Sequence, residues 1–161
     1  MNNKIANKKS LEKSLVSDFF KKHWGDSKMI ISTGTYDCND LDGYAFVDDN
    51  NEIIALITYT LKDSYCEIIS LDSIIEGKGL GSKLINKVEK TASENKCSQV
   101  KLITTNDNLN ALKFYQKRGY RLEKIYKNAV NDARKIKKEI PKYGNYGIPL
   151  KDEIELVKYI K

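Results

Sequence analysis

The sequence predicts a single mixed α/β sheet with helices on both faces. Three observations point there. Apolar residues recur at helical spacing near the N-terminus, short apolar runs bounded by polar turns fill the middle, and helical and strand-like segments alternate thereafter. At 161 residues the chain suits one domain, large enough to bury a core without staples. No internal repeat, low-complexity tract or interdomain linker interrupts it.

The first ten residues are polar and read as a loose arm. Leu11, Leu15, Val16, Phe19, Phe20 and Trp24 then fall on one helical face, and Gly25-Asp26 ends that helix. Met29–Thr33 reads as a strand. Tyr44–Val47 and Ile53–Tyr59 read as a pair of strands, joined by the polar run Asp48-Asp49-Asn50-Asn51. Cys66–Leu71 is nearly all apolar, as a strand covered on both faces would be. A glycine turn, Gly77-Lys78-Gly79-Leu80-Gly81, opens a helix whose stripe is Leu80, Leu84, Ile85, Val88 and Ala92. Val100–Thr104 is a strand. Asn108 has the character of an N-cap for a short helix carrying Leu112 and Tyr115 to Gly119. Tyr120–Tyr126 follows as a strand, Asp132–Lys138 as a basic helix, Pro141–Pro149 as a loop and Ile154–Ile160 as a last strand.

Composition excludes several classes. Hydrophobic residues make up 40% and charged residues 31%, too apolar for a disordered chain. No apolar run approaches the roughly 18 residues needed to span a bilayer, and Met1-Asn2-Asn3-Lys4 opens no secretory signal. Cys38, Cys66 and Cys97 are odd in number and widely spaced, which suits free thiols in a reducing cytoplasm. His23 is the only histidine and there is no CxxC pair, so no ordinary zinc site is expected and a Ser-His-Asp hydrolase has no supporting motif. The net charge of +6 hides an uneven distribution. Residues 29–76 hold ten acids and one base, whereas residues 77–161 hold twenty bases and nine acids. The basic half admits an anionic ligand or nucleic acid, and the acidic stretch hints at a cationic partner.

A strand running into a glycine turn and a helix can hold phosphate, because unpaired N–H groups converge there and the helix dipole favours an anion. The P-loop and dinucleotide spacings both fail, since Ser82 stands five residues after Gly77. A plain tight turn with solvated lysines remains open on these residues alone. The second segment, Asn108-x-x-Ala111-x-x-Phe114-Tyr115-x-x-x-Gly119-Tyr120, follows the next strand. Together with Glu76-Gly-Lys-Gly79-Leu-Gly81 it resembles the GNAT superfamily of acetyl-CoA-dependent N-acetyltransferases. The leading Arg/Gln of the first motif is replaced here by Glu76, expected to point to solvent. The clear resemblance covers about residues 44–126, and the tail from Glu139 to Glu155 is similar to a bacterial subgroup of that superfamily.

The resemblance implies a GNAT fold with a mostly antiparallel sheet and transfer of an acetyl group from acetyl-CoA to a primary amine. Gly77, Lys78, Gly79, Leu80, Gly81 and Ser82 would hold the pyrophosphate, Leu71, Asp72 and Ser73 the thioester and pantetheine, and Asn108 with Ala111 the pantetheine arm. Tyr115 would be the general acid for the sulfur, its plain alternative being a packing tyrosine. Glu67, a carboxylate in an apolar strand, would be a base of raised pKa; an ion pair is the alternative. Trp24, Tyr143, Tyr146 and Asp152 are candidates for lining the acceptor site, and Asp152, Glu153 and Glu155 would otherwise bridge to the basic helix. The expected partners are acetyl-CoA and an amine, with no metal, nucleic acid or membrane, in a cytoplasmic monomer or homodimer. A non-catalytic acyl-CoA-binding module of the same fold is the alternative.

Overall fold

The computed structural model describes residues 4–160. Its sheet contains β1 (Lys4–Asn7), β4 (Asp42–Val47), β5 (Ile53–Leu61), β6 (Tyr65–Ser73), β7 (Gln99–Thr105), β8 (Arg121–Tyr126) and β9 (Glu153–Tyr159) in the spatial order β1-β4-β5-β6-β7-β9-β8. Every neighbouring pair is antiparallel except β6 and β7. A separate hairpin joins β2 (Lys28–Ile31) to β3 (Gly34–Asp37) through the two-residue turn Ser32-Thr33. The helices are α1 (Lys13–Trp24), α2 (Leu80–Glu94), α3 (Leu109–Lys117) and α4 (Ala129–Ile136).

Two apolar layers sandwich the sheet. On one face α1 buries Val16, Phe19 and Phe20, spaced at i, i+3 and i+4, against Ala45, Leu56 and Ile69. Gly25 at φ 78° ends α1 in the left-handed region. On the other face the α2 stripe Leu80, Leu84, Ile85, Val88 and Ala92 meets Ile57, Ile68, Leu102 and Leu156. Cys38, Cys66 and Cys97 are free and buried in these layers. Burial pushes the thiols up, to about 11 for Cys38 and about 12 for Cys66.

The loose N-terminal arm expected from the sequence needs correcting. Lys4–Asn7 forms an edge strand on β4, so its polar side chains reflect an exposed edge, with backbone pairing supplying the order. Met1–Asn3, the start of that arm, lie outside the described residues. Lys8 is buried, its ammonium donating to the carbonyls of Asn39 (2.8 Å) and Leu41 (2.6 Å). The strand expected at Met29–Thr33 ends at Ile31, and its partner β3 carried no strand signal. Helix α4 begins at Ala129, earlier than the charge pattern implied, and Tyr120 precedes β8 as a buried residue. Among the described residues no helix is long and apolar enough to cross a membrane.

Lys8→Ala leaves two inward carbonyls without their donor. It is expected to lower unfolding free energy by about 1–3 kcal/mol. Urea denaturation measures this, and an unchanged midpoint would show that Lys8 does not pin the arm.

Candidate active site

Strands β6 and β7 pair only from Tyr65–Gln99 to Ile68–Leu102. Beyond that point β6 carries an extra residue, Ile69, against β5, where Ser70 faces Thr58 and Ile68 faces Tyr59. Such a bulge bends its strand and re-aims the residues beyond it. The strands part, and a cleft of about 750 Å3 opens between them. Ile74 N–H donates to Ile54 on the β5 side. Alternation along the strand therefore turns the amides of Leu71 and Ser73 toward the cleft, where no strand pairs with them.

Helix α2 points its N-terminus at the same cleft. Its N-cap is Gly79, at φ 69°, and no side chain caps the helix, so its first amides remain open to a ligand. Gly77, Gly79, Leu80, Gly81 and Ser82 all line the cleft, whereas Lys78 is exposed and does not. A Cβ on Gly77 or Gly79 would meet nothing within 4 Å, so both are there for their positive φ; a Cβ on Gly81 would instead lie 3.2 Å from the Phe114 ring. Glu76 is exposed at the rim. The positive charge beside the turn comes from Arg118, a position that neither motif specifies. Its Nε donates to Ser82 Oγ (2.9 Å), Nη2 to the same oxygen and Nη1 to the Phe114 carbonyl (2.8 Å), while its guanidinium lies 3.5 Å over the Phe114 ring.

Asp72 and Tyr115 both line the cleft. The Trp24 indole N–H donates to Asp72 Oδ1 at 2.9 Å, and among the described residues buried Asp72 Oδ2 has no hydrogen-bond partner. Burial raises the pKa of Asp72, with the Trp24 hydrogen bond and nearby His23 acting against it. Burial raises that of Tyr115 too, reinforced by the Asp72 carboxylate and opposed by Arg118. The Tyr115 ring stands edge-on to Phe114 and Tyr120. Tyr120 donates to Glu89 (2.8 Å), which also takes the Lys158 ammonium (3.1 Å), so α2 and β9 brace the wall behind Tyr115. Asn108 lines the cleft with Ala111 and caps α3 through the Ala111 N–H (3.1 Å).

Other expected residues lie elsewhere. Glu67 is 0% exposed and does not line the cleft. Thr33 Oγ1, on the hairpin turn, donates to its Oε2 at 2.7 Å, and Lys101 approaches as a neighbouring charge. The adjoining turn residue Ser32 donates its N–H (2.8 Å) and hydroxyl (2.7 Å) to buried Glu153. Among the described residues Asp152, Glu153 and Glu155 make no ion pair with α4: Glu155 pairs with Lys101 at 3.4 Å, and Asp152, just before β9, accepts the Asn128 N–H at 2.8 Å. Tyr143 and Tyr146 are 65% and 70% exposed and outside the cleft. Their loop is pinned by Asp107, which accepts the Asn145 N–H (2.8 Å), against Gly144, where any Cβ would strike the carboxylate. The Tyr146 hydroxyl donates to one cleft residue, Asn110, at 3.3 Å.

The α2 terminus, with its first amides open, leads into a slot of unpaired strand backbone. Residues 9–120 match the acetyltransferase (GNAT) family, and the chain belongs to it. The Bacillus subtilis protein YxbD is 54% identical over 149 residues, covering 92% of this chain and 94% of its own. YdhI of the same organism is 50% identical over 159 residues, covering 99% and 96%. Among solved structures, a GNAT family acetyltransferase from Elizabethkingia anophelis with acetyl-CoA bound superposes with a TM-score of 0.68 at 20% identity, over 99% of each chain.

Burial holds Glu67 above its ordinary 4.5. A carboxyl raised in this way favours the fold fully below that ordinary value, and the benefit is lost as pH rises through the folded pKa. Glu67→Gln should therefore raise Tm by several degrees at pH 8, with the gap closing toward pH 4. Calorimetry across pH checks this, and a lower Tm at pH 8 would show that the charge is well paired.

Proposed function

We propose that the protein is an N-acetyltransferase that moves the acetyl group of acetyl-CoA to a primary amine. The observation that carries this reading is the pairing of Asp72 and Tyr115 in one cleft wall, where β6 and β7 part. Aminolysis of a thioester needs a group to take a proton from the ammonium and another to give one to the sulfur. A carboxylate with an unpartnered oxygen and a raised pKa suits the first task. A phenol that stays protonated suits the second. Acetyl-CoA in the Elizabethkingia enzyme supports the same donor.

In this mechanism the amides at Gly77, Gly79 and Gly81 hold the pyrophosphate, and Arg118 adds the positive charge that Glu76 does not supply. The cleft-side amides of Leu71 and Ser73 bind pantetheine and polarise the thioester carbonyl. Asp72 takes a proton from the acceptor ammonium, directly or through water, and the freed amine attacks the carbonyl carbon. The carbon–sulfur bond breaks, Tyr115 gives its proton to the sulfur, and it recovers one from the new amide nitrogen. The products are an acetamide, CoA thiol and one released proton. Glu67, sealed behind Thr33, holds the hairpin instead.

Thiol release and product mass, followed across a panel of primary amines, test the reading. Acetyl-CoA binding without turnover on any of them would sink it in favour of a binding module. Tyr115→Phe should lower kcat about 100-fold with acetyl-CoA Kd within about twofold; unchanged turnover removes Tyr115 from the role. In the parent enzyme kcat should fall as pH drops through a pKa above the ordinary 3.8 of aspartate. Asp72→Asn should abolish that acid limb and leave a low, flat rate, whereas a retained limb would assign it to another group.

A further inference from the structure

A second cavity of about 380 Å3 lies between the β2 strand and α4. Met29, Ile31, Val130, Ala133, Ile140 and Leu150 make its walls apolar. Trp24 and Met29 line both this chamber and the acyl-CoA cleft, so the two share a wall. That wall carries the Trp24–Asp72 hydrogen bond, and Asp72 Oδ2 beside it is buried without a partner. Asp26, Lys28, Lys137 and Glu153 also line the chamber, and three of these four charges are engaged. Glu153 accepts two bonds from Ser32, and the Lys137 ammonium donates to the Lys28 carbonyl at 2.9 Å and pairs with Asp26 at 3.5 Å.

Resting on the amine-acetylation reading, we propose that this chamber receives the apolar body of the acceptor, so that the substrate is an alkyl or arylalkyl primary amine. Its ammonium would reach past the shared Trp24–Met29 wall to Asp72, whose Oδ2 is the one buried carboxylate oxygen of the cleft without a hydrogen-bond partner among the described residues. Apolar walls stabilise hydrocarbon and offer no partner to the hydroxyls of an amino sugar. The further ammonium groups of a polyamine would be desolvated against these apolar walls. The acidic composition of residues 29–76 suggested a cationic acceptor, and the chamber narrows it to one charge on an apolar stem.

Trp24 is the only tryptophan, so its emission reports occupancy without turnover. Straight-chain primary amines from propylamine to hexylamine are titrated into the full chain, alongside spermidine and glucosamine, and each is then assayed for thiol release with acetyl-CoA. Kd and KM should fall about fourfold per methylene until the chamber fills, with spermidine and glucosamine weaker than hexylamine. Ala133→Leu, which narrows the chamber, should flatten the series while leaving acetyl-CoA Kd unchanged. Turnover with no chain-length dependence, or tighter binding of spermidine or glucosamine, overturns the chamber and leaves amine acetylation standing. Chain-length-dependent binding without thiol release does the reverse. The wild-type titration decides the matter even if Ala133→Leu fails to fold.

Discussion

The ladder between β6 and β7 ends at Ile68 and Leu102, and the unpaired backbone beyond it constrains everything built around the cleft. Buried strand amides without partners are costly, by about 1–3 kcal/mol each, unless a ligand or water satisfies them. The fold tolerates the opening because β6 keeps β5 on its other edge and β7 keeps β9. The Ile69 bulge sets where the opening starts, and the α2 N-terminus sets where it leads. The slot and the open α2 terminus are therefore two ends of one connection, Leu71 to Leu80, only ten residues long.

Legibility in the sequence followed locality. The glycine turn, the α2 stripe and the Asn108 cap are each defined within a few residues, and the structure has them where the pattern put them. Contacts that join distant segments were not legible. Arg118 reaches Ser82 across 36 positions, and Trp24 reaches Asp72 across 48. Glu67 stood out correctly as an anomalous carboxylate, but its access depends on Thr33, a turn residue 34 positions away. Strand β3 escaped because Gly34-Thr-Tyr-Asp37 has one large apolar side chain; it is a strand through its partner β2.

The charge asymmetry resolves along similar lines. Many acids of the −9 stretch have local tasks: Asp42 pairs with Lys9, Asp37 takes the Ser27 hydroxyl, and Asp48 orders the β4–β5 turn. Asp72 is the acid of that stretch with a buried, unpartnered oxygen in the cleft wall, Glu76 being exposed at the rim, and a count of charges could not distinguish it from the rest. On the basic side, Lys78 was expected among the residues holding phosphate but is exposed and does not line the cleft, while Arg118 arrives from the end of α3.

The three cysteines bear on how the enzyme can be watched. All are buried and free, and burial raises the pKa of each, so almost no thiolate is exposed at neutral pH. The folded chain is thus chemically silent toward thiol-reactive dyes on the timescale of an assay. CoA thiol set free in the cleft would be the sole fast-reacting sulfhydryl, allowing continuous colorimetric recording without a background from the protein. A slow secondary rise in colour would then mark unfolding, giving each trace its own internal record of structural integrity.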